Sequence, residues 1–371
     1  MNFFMPVKLY TGSGCLAKEQ ALFQTFGKRC LIVTGLHAAE KSGALNDVTE
    51  LLRQGNIEFL VFNGIHQNPS VDSCIQAGTA ARENSADFII GIGGGSAMDA
   101  AKAAAVFAAN PELDENGFYS QQWPKHPIPV FLVGTTAGTG SEVTKVSVLT
   151  DSRHRKHSIK DDRLFAAASF GDSRYTLELP LSITLSTGVD VLAHCAESYF
   201  SKKADEISRG FAIRGIQLLF EPLLAAAEGG ILTPQQRERL YQASIFGGLA
   251  INTTSTCFPH NVGYFLTERY RIPHGFACAE FLPDLLRYEE ESNPAYTGAF
   301  LRETGISKDA LLMLIRKCLP EHTISLTEQE ILDLLPRWEN NGSVNNTRGA
   351  VDSTFIKQIL KDKYLKKGES S

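Results

Sequence analysis

The first half of the chain alternates short apolar runs with longer amphipathic stretches. Four apolar runs have the length and composition of buried parallel strands, at residues 30–34, 59–62, 88–92 and 128–133. Amphipathic stretches at 44–54 and 71–84 repeat their apolar residues with a helical period. This alternation predicts a doubly wound α/β domain, and residues 145–160 predict a β-hairpin beside it.

The pattern changes after Pro180. Stretches with a period of about 3.6 residues then dominate, and strand patterns nearly disappear. We expect helices at residues 189–200, 207–227, 234–251, 310–318 and 328–338. The sequence therefore predicts an N-terminal α/β domain over residues 1–180 and an all-α C-terminal domain over residues 181–371.

Composition and charge disfavour several classes of partner and location. The 371 residues include 36 Lys and Arg against 41 Asp and Glu, a net charge of −5. This balance disfavours nucleic acid as the partner. No apolar run reaches the roughly 20 residues of a membrane span, and the N-terminus lacks the pattern of a signal peptide. Seven scattered cysteines without a CxxC pair indicate a reduced, cytoplasmic protein.

A glycine-rich turn follows the strand predicted at 88–92. Gly93, Gly94 and Gly95 let the backbone approach a bulky anion, and Ser96 is placed to cap the helix predicted at 97–109. A helix N-terminus after a strand is a phosphate cradle. The turn fits neither a Walker A loop nor a full GxGxxG pattern. The alternative interpretation is therefore a tight βα connection that binds no ligand.

A second turn of small residues follows the strand predicted at 128–133. It contains Thr135, Thr136, Thr139 and three glycines. In α/β proteins, ligands bind beyond the carboxyl ends of the strands. Two such turns on one sheet favour a dinucleotide site.

Four residues of the second half are candidate metal ligands. Asp190 and His194 are four apart in a predicted helix, so both project from one face. His260 and His274 lie in contexts that indicate turns. One carboxylate and three imidazoles suit Fe²⁺ or Zn²⁺, which would polarise an alcohol or carbonyl oxygen. The alternative is that the histidines are separate core or surface groups.

These motifs together resemble the iron-containing (group III) alcohol dehydrogenases. The matching segments lie at 93–102, 135–144, 186–194 and 273–275, in family order across nearly the whole chain. The resemblance implies the dehydroquinate synthase-like fold, with a dinucleotide-binding α/β domain, a helical metal-binding domain and the active site between them. It also implies a metal-dependent, NAD(P)-linked oxidoreductase that interconverts a small primary alcohol and its aldehyde.

The resemblance assigns roles residue by residue. It places the metal ligands at Asp190, His194, His260 and His274. It places the pyrophosphate at the glycine turn and the rest of the cofactor along the two turns and the hairpin. The cofactor residues it implies are Gly35, Gly94, Gly95, Ser96, Asp99, Thr135, Thr136, Thr139, Thr144 and Lys156.

Three departures from the family pattern change the expectations. Gly134 replaces a proline before the two threonines, which predicts a looser turn. Tyr264 stands where many members have a histidine, so we expect it to relay the proton. Gly35 replaces an aspartate found in NAD-preferring members. Without that carboxylate a 2′-phosphate meets no repulsion, and Lys41 could attract it. NADP(H) is therefore favoured over NAD(H).

Several alternatives remain open. One is a non-redox, NAD- and metal-dependent lyase resembling dehydroquinate synthase, and another is a non-catalytic nucleotide-binding protein. Phe258, Tyr264 and Phe265 could form an aromatic wall near the metal or could pack the core. Arg269 and Arg271 could meet an anionic substrate or could lie on the surface. The family resemblance also implies a homodimer or a larger homo-oligomer.

Overall fold

Six parallel strands form the central sheet of the protein, in the order β1-β8-β5-β4-β2-β3. The computed structural model describes residues 3–366. The strands of this sheet are β1 Lys8–Thr11, β2 Arg29–Gly35, β3 Glu58–Ile65, β4 Phe88–Gly93, β5 Val130–Gly134 and β8 Ala168–Gly171. A separate antiparallel hairpin consists of β6 Val146–Thr150 and β7 Lys156–Lys160.

The middle of the sheet is apolar on both faces. All six residues of β4 are buried, and β5 is buried throughout. The chain crosses from β3 over β2 to reach β4, so the direction of winding reverses between β2 and β4. In a doubly wound sheet this reversal opens a crevice at the carboxyl ends of the two strands. The predicted α/β class is confirmed.

Two strands escaped the sequence analysis. β1 and β8 have only four residues each, and they pair with one another from Lys8↔Ala168 to Thr11↔Gly171. Their pairing joins segments about 160 residues apart, which local periodicity cannot detect. The four strands that were predicted, and the hairpin, lie within a few residues of their expected positions.

Helices cover both faces of the sheet. The most extensive is α5, which follows β4 and packs on α4 and β6. The helices of this half are α1 Gln20–Gln24, α2 Ala38–Lys41, α3 Ala44–Gln54, α4 Val71–Glu83, α5 Gly95–Ala109 and α6 Glu115–Ser120.

After β8 the regular secondary structure of the described chain is helical. The helices are α7 Leu181–Tyr199, α8 Glu206–Ala227, α9 Pro234–Thr254, α10 Phe258–Tyr270, α11 His274–Ala279, α12 Leu282–Ser292, α13 Pro294–Thr304, α14 Lys308–Cys318, α15 Glu328–Leu334, α16 Gly342–Asn346 and α17 Ser353–Tyr364. α7 contacts α8, α9, α10 and α11, and its residues from Gly188 to Tyr199 are all buried. It is the central helix of this half.

α8 has the length and mean hydropathy of a membrane span, although Arg214 and Glu221 keep it from being one continuous apolar run. It is also packed along its length against α7 and α9. Asp205 caps it in a capping box with Ser208, and Pro222 lies inside it. Such packing between neighbours is typical of a core helix in a globular domain.

α7 and α8 approach one another through glycine. A Cβ atom at Gly215 of α8 would lie 2.6 Å from the sulfur of Cys195 on α7. A Cβ at Gly210, five residues earlier on the same helix, would meet nothing within 4 Å, and Gly210 is exposed. One helix therefore carries one glycine that packing requires and one that it does not.

We expect the same substitution to have opposite effects at these two positions. Gly215→Ala should destabilise the helical half by about 1 to 3 kcal/mol, because the methyl group overpacks the α7–α8 contact. Gly210→Ala should stabilise it by about 0.5 to 1 kcal/mol through helix propensity alone. Urea denaturation followed by circular dichroism measures both. Equal midpoints for the two variants would contradict the packing.

Candidate functional site

Four strands of the sheet, among them β2, β4 and β5, end in glycine at its carboxyl edge. Gly35, Gly93 and Gly134 are the last residues of β2, β4 and β5. Gly93 and Gly134 are direct neighbours in the sheet, and the N–H of Thr135 donates to the carbonyl of Gly93 at 2.9 Å. The two small-residue turns predicted from the sequence therefore lie side by side at the carboxyl edge.

The first turn fits tightly against the second. A Cβ on Gly94 would lie 2.9 Å from the hydroxyl oxygen of Thr136, and a Cβ on Gly95 would lie 2.5 Å from the methyl carbon of Thr139. Glycine is thus required here for close approach of the two turns. Thr135 is buried, and its hydroxyl has no hydrogen-bond partner among the described residues.

The prediction that Ser96 caps α5 is wrong. The helix begins at Gly95, its N-cap is Gly94, and no side chain caps it. Ser96 lies in the first turn, where its hydroxyl accepts from the N–H of Asn68 at 3.3 Å. An uncapped helix start leaves backbone N–H groups directed into the crevice, which is the arrangement an anion uses.

Lys102, a buried lysine, holds the second turn to α5. Its ammonium donates to the carbonyls of Ser141 at 2.8 Å, Thr144 at 3.0 Å and Val146 at 2.9 Å. Burial lowers its pKa to about 8. The carboxylate of Asp99, one turn before it, accepts from the Ser141 hydroxyl at 2.6 Å and from the N–H of Val148 at 2.9 Å. Asp99 therefore fixes the hairpin, although it also borders the crevice.

The turn at Gly134 is not loose, contrary to expectation. A Cβ there would lie 2.0 Å from the hydroxyl of Tyr241 and 2.1 Å from a carboxylate oxygen of Glu142. That hydroxyl donates to Glu142 at 2.7 Å, and both side chains are buried. The Tyr241–Glu142 pair occupies the space beside the turn.

Two cavities join at the glycine turn and form one cleft. The inner cavity, of about 440 Å³, runs from the turn to the helical half, and the outer one, of about 420 Å³, covers the ends of β2 and β4. Both are lined by Gly94, Ser96 and Thr136. Gly35, Lys41 and Thr135 line the outer cavity. Gly95, Asp99, Thr139, Thr144 and Lys156 line the inner one.

Three helices, α7, α10 and α11, bring the candidate metal ligands together at the far end of the inner cavity. The Oδ1 atom of Asp190 lies 3.4 Å from Nε2 of His260 and 3.9 Å from Nε2 of both His194 and His274. The rings of His194 and His260 stack with centroids 4.7 Å apart. His260 and His274 lie at the starts of α10 and α11, so the expectation that they sit in turns is wrong.

The donor set fits a divalent metal ion. Oδ1 of Asp190 and Nε2 of His260 are buried and have no hydrogen-bond partner among the described residues. A buried polar atom without a partner is costly, and a cation facing both would satisfy them. Burial lowers the pKa of His194 to about 4 and that of His274 well below its usual value. Both imidazoles are therefore neutral near pH 7, the form that binds metals.

Two residues near this cluster escaped the sequence analysis. Glu197 is buried, and its carboxylate pairs with Nδ1 of His260 while accepting from the N–H of Cys257 at 2.7 Å. With its proton on Nδ1, His260 would leave the lone pair of Nε2 available to a metal ion beside Asp190. The sequence could have indicated Glu197, because residues 190, 194 and 197 share one face of α7.

Cys278 is the second missed residue. Its sulfur lies 3.5 Å from Nδ1 of His274, one turn earlier on α11. Donor atoms of Asp190, His260, His274 and Cys278 all lie within 4.8 Å of one another. Cys195, in contrast, packs against α8 as a structural thiol.

Tyr264 borders the cleft next to the cluster. Its ring lies 5.5 Å from that of His274, and the ammonium of Lys156 lies 5.1 Å from the centre of the same ring. Phe258 and Phe265 are buried in the helical core and do not line the cleft, so no aromatic wall forms from the three. Arg269 pairs with Glu330 outside it.

Comparisons with known proteins agree with this arrangement. Residues 6–173 match the family described as iron-containing alcohol dehydrogenase, and residues 184–335 match the C-terminal part of the Fe-containing alcohol dehydrogenase family. The 1,3-propanediol dehydrogenase of Citrobacter freundii is 33% identical over 311 residues, covering 82% of this chain and 79% of that protein.

Solved structures show the same fold. An iron-containing alcohol dehydrogenase from Thermotoga maritima is 33% identical with a TM-score of 0.90, covering 97% of this chain and 98% of that chain. A sulfoacetaldehyde reductase from Bifidobacterium kashiwanohense, in complex with NAD⁺, is 27% identical with a TM-score of 0.87 and covers 98% of both chains.

Glu197 provides a test of the cluster's outer contacts. We expect Glu197→Gln to weaken binding of Zn²⁺ to the metal-free protein by about 10- to 100-fold, because His260 loses the carboxylate that orients it. Isothermal titration calorimetry measures the affinity, and circular dichroism verifies the fold. Glu303→Gln removes a carboxylate that the Tyr199 hydroxyl contacts on the same helical half. This control should bind Zn²⁺ normally, and equal affinities of the two variants would contradict the role of Glu197.

Proposed function

This chain belongs to the iron-containing alcohol dehydrogenase family, and we propose that it reduces a small aldehyde to its primary alcohol, or the reverse, with NADP(H) and Fe²⁺. It is an alcohol dehydrogenase by its relatives, which leaves the lyase and the non-catalytic alternatives without support. The observation that carries the site assignment is the unpartnered pair of buried donors, Asp190 Oδ1 and His260 Nε2, at the end of a cleft that begins at a helix N-terminus.

The two halves divide the task. Residues 1–180 would hold the dinucleotide and residues 181–371 the metal. When bound, the ion acts as a Lewis acid on the alcohol or carbonyl oxygen, and the nicotinamide carries the hydride. In the direction of reduction, the aldehyde, one NADPH and one proton give the alcohol and NADP⁺.

The chain's own groups would bind and orient the reactants. The N–H groups at Gly95 and Ser96 would hold the pyrophosphate, and Thr136 and Thr139 would border it. Asp190, His194, His260 and His274 would hold the ion, for which Zn²⁺ is the alternative. Tyr264 would relay the proton as a neutral phenol, since burial raises its pKa. A neutral hydroxyl can accept one proton while it donates another.

NADP(H) is the proposed cofactor because of the outer cavity. Gly35, Lys41 and Glu178 all line it, so a 2′-phosphate at its Gly35 end would meet the ammonium of Lys41 and no carboxylate at residue 35. The NAD⁺ complex of the sulfoacetaldehyde reductase keeps NAD(H) as the alternative. The outer cavity supports NADP(H) because an ammonium group such as that of Lys41 binds phosphate through charge-assisted hydrogen bonds.

Two further proposals concern the protein's setting. All seven cysteines are free and buried, which supports a reducing, cytoplasmic environment. β3 is an edge strand of the sheet, and Leu60 on it is 39% exposed. An exposed apolar edge supports a homodimer or a larger homo-oligomer.

The ligand assignment has a direct test. With iron supplied during expression, His260→Ala should lose the metal and reduce aldehydes at least about 100-fold more slowly, because a few kcal/mol of transition-state stabilisation disappears. Elemental analysis and NADPH oxidation measure the two effects. His126→Ala, at an exposed position outside the cleft, should change neither. Full metal content and rate in His260→Ala would overturn the assignment.

The cofactor preference has a separate test. The wild-type enzyme should show the higher kcat/KM with NADPH. Gly35→Asp should lower that value by about 10-fold or more and favour NADH, because the new carboxylate repels the 2′-phosphate. A Cβ at residue 35 lies 3.1 Å from the carbonyl of Ile65, so Gly35→Asn controls for crowding. NADH preference in the wild type, or equal effects of Asp and Asn, would contradict the proposal.

A further inference from the structure

One face of the hairpin presents two lysines to the inner cavity. Lys156, Ser158 and Lys160 alternate along β7, so they share the face that borders the cavity. The opposite face carries Ile159, which is buried in the α/β core. On the paired strand β6, Val146 and Val148 lie opposite Lys160 and Ser158 and line the same cavity.

Lys160 has no acidic partner within residues 3–366. Its ammonium donates to the hydroxyl of Ser255 at 3.0 Å and lies 3.5 Å from the carbonyl of Asn252. The nearby carboxylate of Asp162 is paired with Lys145 instead. Burial and repulsion from Lys145 and Lys203 lower the pKa of Lys160 to about 8, so it remains largely charged near pH 7.

The carboxylates around Lys156 are also engaged elsewhere. Glu268 accepts from the guanidinium of Arg337 at 2.5 Å and from the backbone N–H of Lys156 at 3.0 Å. Asp99 accepts from Ser141 and Val148, and Asp190 faces the imidazoles. The hairpin side of the cavity thus carries positive charge that the protein does not neutralise.

The segment opposite Lys160 is held rigidly. The side-chain amide of Asn346 donates to the carbonyls of Thr254 and Thr256, both at 2.9 Å. Between them Ser255 has φ +63° and ψ 178°, a conformation that costs on the order of 1 to 3 kcal/mol outside glycine. Thr256 and Ser343 add hydroxyl groups to the same wall. A lysine and several fixed hydroxyls therefore converge on one end of the cavity.

We propose that the substrate carries an anionic group, such as a carboxylate, sulfonate or phosphonate, which Lys160 and the Ser255 hydroxyl bind. This inference rests on the proposed function, because the other end of the substrate must be the aldehyde or alcohol at the metal cluster. Lys156 and Lys160 are separated by four strand residues, or about 13 Å between Cα atoms. That separation leaves room for a short carbon chain against Val146, Val148 and Ile251.

Two aldehydes of similar length test the proposal. With iron-loaded enzyme and NADPH, kcat/KM for 4-oxobutanoate should exceed that for pentanal by at least about 10-fold, the equivalent of about 1.4 kcal/mol. Lys160→Met should bring the ratio close to one, mainly by raising KM for 4-oxobutanoate. Lys160→Arg, which keeps the positive charge, should keep most of the wild-type preference for 4-oxobutanoate. Lys203→Met removes an exposed like charge nearby and should leave the ratio as in the wild type.

The outcomes separate this proposal from the one on which it rests. Reduction of neither aldehyde would overturn the proposed function. Preference for pentanal, or a ratio unchanged in Lys160→Met, would overturn the anion site and leave the dehydrogenase assignment intact. Sulfonate- and phosphonate-terminated aldehydes of the same chain length then identify the anion, and the highest kcat/KM among them marks the matching group.

Discussion

The buried carboxylate of Asp190 is the point on which the helical half converges. A charge removed from water has to be compensated, and here three imidazoles from α7, α10 and α11 surround one oxygen atom. That convergence requires α11 to reach α7 closely: a Cβ on Gly275 would lie 1.8 Å from the carbonyl oxygen of Ser186. Glu197 extends the arrangement outward by holding His260. Three helices, α7, α10 and α11, thus meet around one buried carboxylate.

The two halves are joined at the cleft by similarly close contacts. Gly140, with φ +60°, lies where a Cβ would meet the Cα of Gly248 on α9 at 2.5 Å, and a Cβ on Gly138 would meet Thr187 on α7 at 2.7 Å. Lys102 ties the same turn to α5 from beneath. The turn that would line the cofactor is therefore fixed by both halves. A dinucleotide and a metal-bearing cluster can be aligned only if this junction is stiff, since hydride transfer depends on the distance between reacting groups.

Much of the fold could be predicted because its signals are local. The buried run of β4, the period of α7 and α8, and the glycines after β4 each depend on residues close together in the chain. β1 and β8 were missed because neither is long enough to show a period and their pairing is long-range. Residue type predicts Ser96 as the cap of α5, but Gly94 occupies that position, and the hydroxyl of Ser96 accepts from the N–H of Asn68 instead.

The sequence by itself determined the α/β and helical halves, the spacing of Asp190 and His194, and the family pattern. Local propensity and residue identity suffice for these. Only the tertiary structure decided that His260 and His274 begin helices, that Glu197 and Cys278 join the cluster, and that Phe258 and Phe265 belong to the core. It also decided that Lys160 pairs with no carboxylate among the described residues. Each depends on which distant groups lie within hydrogen-bond or charge-pairing distance, and sequence spacing does not specify such contacts.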